Sequence, residues 1–414
     1  MKLISSALAS LLVAAPAVAQ VRLWVVDDDP GPSVDFTDIQ PAVDAAADGD
    51  TILVRDGVYS GFVFFSKGLS VVGELGASVV IQDGQIGIHN LAPDQTVLLQ
   101  NLEVQGWLPP GSPTAAPALA LTNDEGPVRV EDSRFLPQTT ALPGPSPTPL
   151  GGGASTFNCD SVTFERCELV AGTFALGDSL GRDGLSVTQS EVYLYDCDVT
   201  GGPGLAGPCH PMCFPSLTGG DGASVTLGFL FASGTTFTGG PGLSGCGQGG
   251  NGGNGVYSDS EVWFLDSFAA AATGGPAGSG CAPGADGSLT AGPGPFNVLP
   301  GEARHLSITS PVTGGDIITI TCEGEPGDAV FLGGSLTPDT LWIPEVSGVL
   351  LIVPGFINTL GLIPPSGKLT FLVPSSPITT ADVLTLHLQA VFVVPSSQAF
   401  VGPGVTLVIT KAIP

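Results

Sequence analysis

Short alternations of apolar and other residues run through most of this chain. Val162/Phe164, Val192/Leu194 and Val262/Phe264 each place apolar side chains two residues apart, the period of a strand with one face turned to a core. Residues 162–172, 192–202 and 262–275 share this pattern, and an earlier copy opens at Val128. The tetrapeptide Thr-Gly-Gly-Pro recurs at Thr200, Thr238 and Thr273, each time opening a Gly-rich loop. A fixed strand unit with loops of variable length on one side is the mark of a solenoid. Stacked coils bring equivalent residues to about 4.8 Å from one another.

One helical pattern precedes the repeats. In residues 35–50 Ile39, Val43 and Ala46 share a face, Thr37 and Gln40 suit a capping box, and Gly49 suits a left-handed residue after the last turn. This predicts a helix over about residues 37–48, followed by a strand at residues 51–54. Residues 35–74 resemble the N-terminal cap and first coil of the pectin-lyase-like right-handed β-helix superfamily, and the likeness continues as a repeat pattern to about residue 290. The resemblance implies that the helix covers the open end of the solenoid. That is also the physical reading of a lone amphipathic helix ahead of many strands.

After Leu289 a Pro- and Gly-rich stretch reads as a linker over residues 291–304. From His305 the strands lengthen, and seven candidates fall in residues 305–414, the count and spacing of a β-sandwich. Residues 367–410 are similar to a C-terminal domain attached to many secreted bacterial proteins, a likeness that implies no activity. The expected fold is therefore all-β. It comprises a right-handed parallel β-helix over residues 20–290 with an N-terminal capping helix, then a small β-sandwich domain.

Composition agrees. The chain has 60 Gly and 37 Pro among 414 residues and is only 12% charged yet 43% hydrophobic, so glycine and proline punctuate strands that bury a core. Residues 1–19 carry Lys2, an apolar run and Ala17-Val18-Ala19, the pattern of a signal peptide cleaved after Ala19. This predicts a secreted or cell-surface protein, and no other stretch is apolar enough to insert in a membrane. Eleven Lys and Arg against 38 Asp and Glu give a net charge of −27, or −28 once Lys2 is removed. Nucleic acid is excluded as a partner by that sign. Calcium is the one candidate ion, and no metal ligand set is assigned.

Eight cysteines in an exported chain argue for disulfides. Cys246 and Cys281 each stand seven residues after the first Gly of the recurring tetrapeptide and are the best-matched pair, leaving Cys209 to close a small loop on Cys213. Aligned coils place Cys167 and Cys197 with Ser133 and Ser267 in one inward column, flanked by Phe164, Leu169, Leu194 and Val199. That spacing allows a disulfide and allows stacked free thiols equally well.

The same alignment stacks Asp132, Arg166 and Asp196 in one outward column and Arg134, Glu168 and Asp198 in a second. These are the candidate ligand-binding residues, with the simpler alternative of an ion-pair ladder. A catalytic use would need a carboxylate pair at a defined separation. The superfamily includes pectate lyases, polygalacturonases and pectin methylesterases, but the polygalacturonase motifs are missing, and Lys67 is the only lysine between signal and linker. Asp27, Asp28 and Asp29 read as a solvated acidic turn, and His89 and His387 as ordinary strand residues. Trp107, Trp263 and Tyr257 are candidates to stack on sugars or simply to pack. The leading expectation is an exported, non-catalytic β-helix protein with a structural, adhesive or polysaccharide-binding role. Its alternative is a divergent polysaccharide lyase or glycoside hydrolase working from carboxylates on a β-helix face. Catalytic residues, oligomeric state and ligand are not assigned from sequence.

Overall fold

The structure, a computed structural model, describes residues 21–106, 116–140, 148–172, 181–204, 218–242, 249–270, 273, 282–343, 346–379, 381–396 and 398–412. The expected signal peptide, Trp107, Cys209, Cys213, Cys246 and Cys281 lie outside them. Parallel strands wind into a right-handed β-helix with sheets of ten, eight and eight strands. One coil takes Ala154–Phe157 into a leading sheet, Val162–Glu165 into the long ten-stranded sheet and Glu168–Val170 into a trailing sheet. The next coil opens with Leu185–Thr188 in the leading sheet. Register is set by the inward apolar residues: Val162 lies beside Val128 and Val192, and Phe164 beside Val130 and Leu194. A slip of one residue would turn that set outward.

Two tight turns per coil explain much of the polar sequence. Asn90, Asn123 and Asn158 leave the leading sheet with φ of 59°, 57° and 54°, a left-handed conformation that asparagine tolerates better than branched residues do. Their amides form a ladder, Asn158 Nδ2 donating to Asn123 Oδ1 at 3.1 Å and Asn123 Nδ2 to Asn90 Oδ1 at 3.4 Å. Between the long and trailing sheets the same conformation is taken by Asp132, Arg166, Asp196 and Asp266, and by Gly234 in the coil between the last two.

The helix, α1 (Ile39–Ala45), buries Ile39, Ala42 and Val43 at the N-terminal end of the solenoid. It is shorter than predicted, and Asp38 rather than Thr37 caps it, accepting from the Ile39 N–H at 2.8 Å. Gln40 does not close a capping box. Its side chain instead accepts from Val63 N at 2.8 Å and donates to Val63 O at 3.1 Å, which ties the helix to the first leading strand.

The inward column holds thiols, not a disulfide. Cys159, Cys167, Cys197 and Cys322 are free and buried, which corrects the bond allowed between Cys167 and Cys197. In each coil the side chain folds back on the carbonyl two residues earlier. Ser133 Oγ donates to Glu131 O at 2.8 Å, Cys167 Sγ to Glu165 O at 3.3 Å and Cys197 Sγ to Tyr195 O at 3.2 Å. Ser133 and Cys197 also receive a backbone N–H from the preceding coil, Leu102 N to Ser133 Oγ at 3.2 Å and Cys167 N to Cys197 Sγ at 3.4 Å. The thiols thus stand in for hydroxyls, and Thr235 and Ser267 continue the ladder.

The solenoid runs further than expected. Phe296–Leu299, inside the predicted linker, is the last strand of the long sheet and pairs with Glu261–Leu265. Among the described residues the C-terminal domain has ten strands rather than seven, arranged as a three-stranded sheet, a five-stranded sheet and a hairpin of Pro338–Ile343 with Gly348–Ile352. It does not continue the stack but lies along the outer face of the long sheet. There Tyr193, Tyr195, Phe231 and Leu265 join one core with Leu351, Phe392 and Leu407. Trp342 sits among Phe231, Phe229 and Trp263, with ring centroids 5.1, 5.6 and 5.6 Å away. The middle strands of the long sheet are therefore buried on both faces.

Polar groups at this junction are matched across it. Glu131 accepts from Thr406 N at 3.0 Å, Thr406 Oγ1 at 2.7 Å and Gln100 Nε2 at 3.2 Å. Ser310 Oγ donates to Gln100 Oε1 at 3.0 Å and accepts from Val408 N at 3.0 Å, and Arg129 donates to Gly404 O. His387 is buried in the same place, hydrogen-bonded to Thr406 Oγ1 at 3.2 Å. Burial, with Arg129 nearby, holds its imidazole well below the usual histidine range.

Candidate functional site

All six candidate residues come together. Arg134, Glu168 and Asp198 are register partners on successive trailing strands, and Asp132, Arg166 and Asp196 occupy equivalent left-handed turns just before them. With Cys167 beneath, they line a shallow depression of about 340 Å³. The left-handed turn throws each first-column side chain outward, while the next residue, the small hydroxyl or thiol, turns into the core.

Nearly every charge in the depression is engaged. Arg166 grips Asp132 with two hydrogen bonds, Nε to Oδ1 at 2.6 Å and Nη2 to Oδ2 at 2.7 Å. Its remaining Nη1 contacts Glu165 and donates to Leu306 O at 3.2 Å. Burial pulls this guanidinium down, but Glu165 and Asp132 outweigh it and hold the group above the ordinary arginine range. Glu165 is fully buried, and that burial pushes its carboxyl well up, with Arg166 opposing. Arg134 bridges two carboxylates, Nε to Glu168 at 2.7 Å and Nη1 to Glu103 at 3.0 Å, and the Glu168 hydrogen bond raises its pKa. Asp196 Oδ2 is 2.7 Å from His305 Nδ1, a hydrogen bond that raises the imidazole above the usual histidine value despite partial burial.

Asp198 is different. Among the described residues it has no hydrogen bond or ion pair with a side chain, although its backbone stays in the ladder with Cys167. Among those residues no group of three or more His, Cys, Asp or Glu side chains is arranged to hold a metal ion. The arrangement offers one free carboxylate and guanidinium groups already saturated by carboxylates. It offers no unengaged second carboxylate beside Asp198, which two-carboxylate glycoside chemistry requires.

Three participants were missed from sequence. Glu103 belongs to the preceding coil and pairs in register with Arg134, a position that aligning Asn101 with Asp132 would have exposed. Glu165 occupies an outward position that the C-terminal domain buries. His305 arrives from that domain, and no local pattern marks it. Ala303 N also donates to Asp266 Oδ2 at 3.0 Å, so the turn column holds the joining segment of residues 303–306.

Other singled-out residues have structural partners. Asp27 pairs with Arg55 at 3.3 Å and Asp28 accepts from Val58 N at 3.0 Å, so the acidic turn braces the first coil. Trp263 packs on Trp342. His89 stacks on Phe65 on the outer face of the leading sheet, and Tyr257 is exposed on that sheet further along. No protein-family model matches this chain, and no curated protein matches it.

Proposed function

We propose that this chain is an exported, non-catalytic β-helix protein that acts by surface recognition or as a structural element at or outside the cell surface. The observation that carries this reading is the saturation of the charged depression, where both guanidinium groups are held by carboxylates and Asp196 is held by His305. Two-carboxylate catalysis needs a second group free to take or give a proton beside the first, and here every charged neighbour of the free Asp198 is spent on pairing. The C-terminal domain also covers the long sheet, which removes the widest face of the solenoid as an open groove. Relationship to the pectin-lyase-like superfamily, and of the last domain to those appended to secreted bacterial proteins, belongs to the same proposal and rests on sequence likeness and β-helix architecture.

The test is incubation of the purified protein with a polysaccharide array, with and without calcium, scoring retention and product release separately, beside an Asp198→Asn variant. Retention or silence without products is the expected result. Product release that Asp198→Asn abolishes would replace this reading by the alternative of a divergent lyase or hydrolase.

A further inference from the structure

The outer face of the leading sheet differs from the rest of the surface. Register lines up Ser155, Ser186, Ser224 and Tyr257 in one outward column. A second column runs from Phe65 through His89, Thr122, Phe157 and Thr188 to Thr226. The asparagine ladder of Asn90, Asn123 and Asn158 borders it as a third. No outward strand position of this sheet from Val63 to Tyr257 is Asp, Glu, Lys or Arg. That is unexpected on a chain with 38 acidic residues and a net charge of −27. His89, the one histidine in the strip, has its pKa lowered by burial, which favours the neutral imidazole. Among the described residues charge stands at the margins, at Asp183 and Asp221 on the loop side and at Asp160 and Asp259 past the turns that leave the sheet.

The strip also exposes aromatic rings that the fold does not use. Phe65 is 63% exposed, Phe157 47% and Tyr257 38%, and His89 stacks on Phe65 with centroids 4.9 Å apart and planes within 22°. Three coil spacings separate Phe65 from Phe157, and three more separate Phe157 from the coil of Tyr257, so rings recur about every 14 Å along the axis. Between them stand hydroxyls and amides, groups that both donate and accept. Sugar rings present this same mixture, a polarised C–H face that an aromatic ring attracts and a rim of hydroxyls. A strip six coil spacings long, about 29 Å, suits a polymer more than a single sugar. The protein's strong negative charge repels an anionic chain and leaves a neutral one unopposed.

We propose that the outer face of the leading sheet binds an uncharged polysaccharide, with sugar rings stacked on Phe65, Phe157 and Tyr257 and their hydroxyls bonded to the serine, threonine and asparagine columns. This rests on the recognition reading above and assigns it a ligand class and a face separate from the charged depression. It is tested by retention of the purified full chain on cellulose, chitin and polygalacturonate. The variants are Phe157→Ala, Tyr257→Ala and Ser186→Glu on the face, and Asp198→Asn in the depression, with melting temperatures checking that each folds.

The expected result is retention on an uncharged polymer, weakened about tenfold by each ring truncation, weakened also by Ser186→Glu, and unchanged by Asp198→Asn. Retention that the three face variants leave intact, or retention on polygalacturonate alone, overturns the face while the recognition reading stands. Retention on none of the polymers also overturns the face and leaves a structural or adhesive role. Cleavage of any of them overturns the non-catalytic reading itself.

Discussion

Removing the Glu131 carboxylate should detach the C-terminal domain from the solenoid more effectively than any single exposed change. Glu131 is 1% exposed and serves three donors, Thr406 N, Thr406 Oγ1 and Gln100 Nε2, with the buried Arg129 Nε 3.4 Å away. Glu131→Ala leaves Thr406 N and Thr406 Oγ1 without this acceptor, leaves Gln100 Nε2 only Thr406 O at 3.2 Å, and leaves the guanidinium without its counter-charge. Stranded buried polar groups cost about 1–3 kcal/mol each, but water entry and relaxation make them less than additive. Loss of one partner from a buried ion pair costs about 3–5 kcal/mol, and we expect that range here.

Urea unfolding, followed by tryptophan fluorescence from the Trp263–Trp342 contact, measures the loss. Limited proteolysis at residues 300–304 reports whether the junction opens. Glu131→Gln keeps the shape and one acceptor and should fall between wild type and alanine. The control is Glu103→Ala, which removes an exposed ion pair with Arg134 and should cost less than about 1 kcal/mol. If Glu131→Ala were no more disruptive than that control, the buried network would not be what holds the two domains together.

Three further outcomes follow from single positions. Burial pushes the Asp124 carboxyl up to about 6, so its share of stability is complete below the unfolded pKa near 3.8 and is lost as pH rises through about 6, a fall of about 3 kcal/mol. Asp124→Asn keeps an acceptor for Leu91 N and should gain on wild type at pH 8 but not near pH 4 in melts across pH; equal losses at both would refute the assignment. Cys167 and Cys197 should react with a thiol reagent only after denaturation and without reductant, and Cys197→Ser should cost under about 1 kcal/mol because serine holds the equivalent place in neighbouring coils. A reductant requirement would restore the disulfide. Leu227 is exposed at φ 53° in the turn that asparagine fills elsewhere, so Leu227→Asn should raise the unfolding free energy by about 0.5–1 kcal/mol in chemical denaturation; a decrease would show that the leucine side chain has a packing role there.

The solenoid was legible because its signals are local and repeated. Inward pairs such as Val162 and Phe164 recur in every coil, and a pattern repeated at constant offset fixes register without long-range information. The columns of Asp132, Arg166 and Asp196 and of Arg134, Glu168 and Asp198 followed from that register alone. What escaped depends on contacts between distant segments. Glu131 and Glu165 sit at alternating positions that normally mean solvent, yet they are buried because a domain over a hundred residues away covers them. The hint was present in Tyr193, Tyr195, Phe229, Phe231 and Trp263, outward aromatics on neighbouring coils that a free sheet face would not carry. The choice between thiol and disulfide at Cys167 was settled by rotamer, with each Sγ turned back to its own coil's carbonyl, and spacing cannot encode that.

The position of the C-terminal domain also decides which surface is left for recognition. Of the three sheet faces of the solenoid, the covered long sheet leaves two open to a partner. On the trailing sheet the outward charges are cross-linked to one another and, through Arg166 and His305, to the joining segment, so a ligand there would have to displace ion pairs that anchor the domain. The leading sheet has no such duty: its outward side chains are uncharged and several of its rings are exposed without packing partners from the C-terminal domain. Stability therefore does not explain why Phe65, Phe157 and Tyr257 are aromatic, since exposed rings add little to a fold that a serine or threonine would serve as well at those positions. A ligand that stacks on them does explain it.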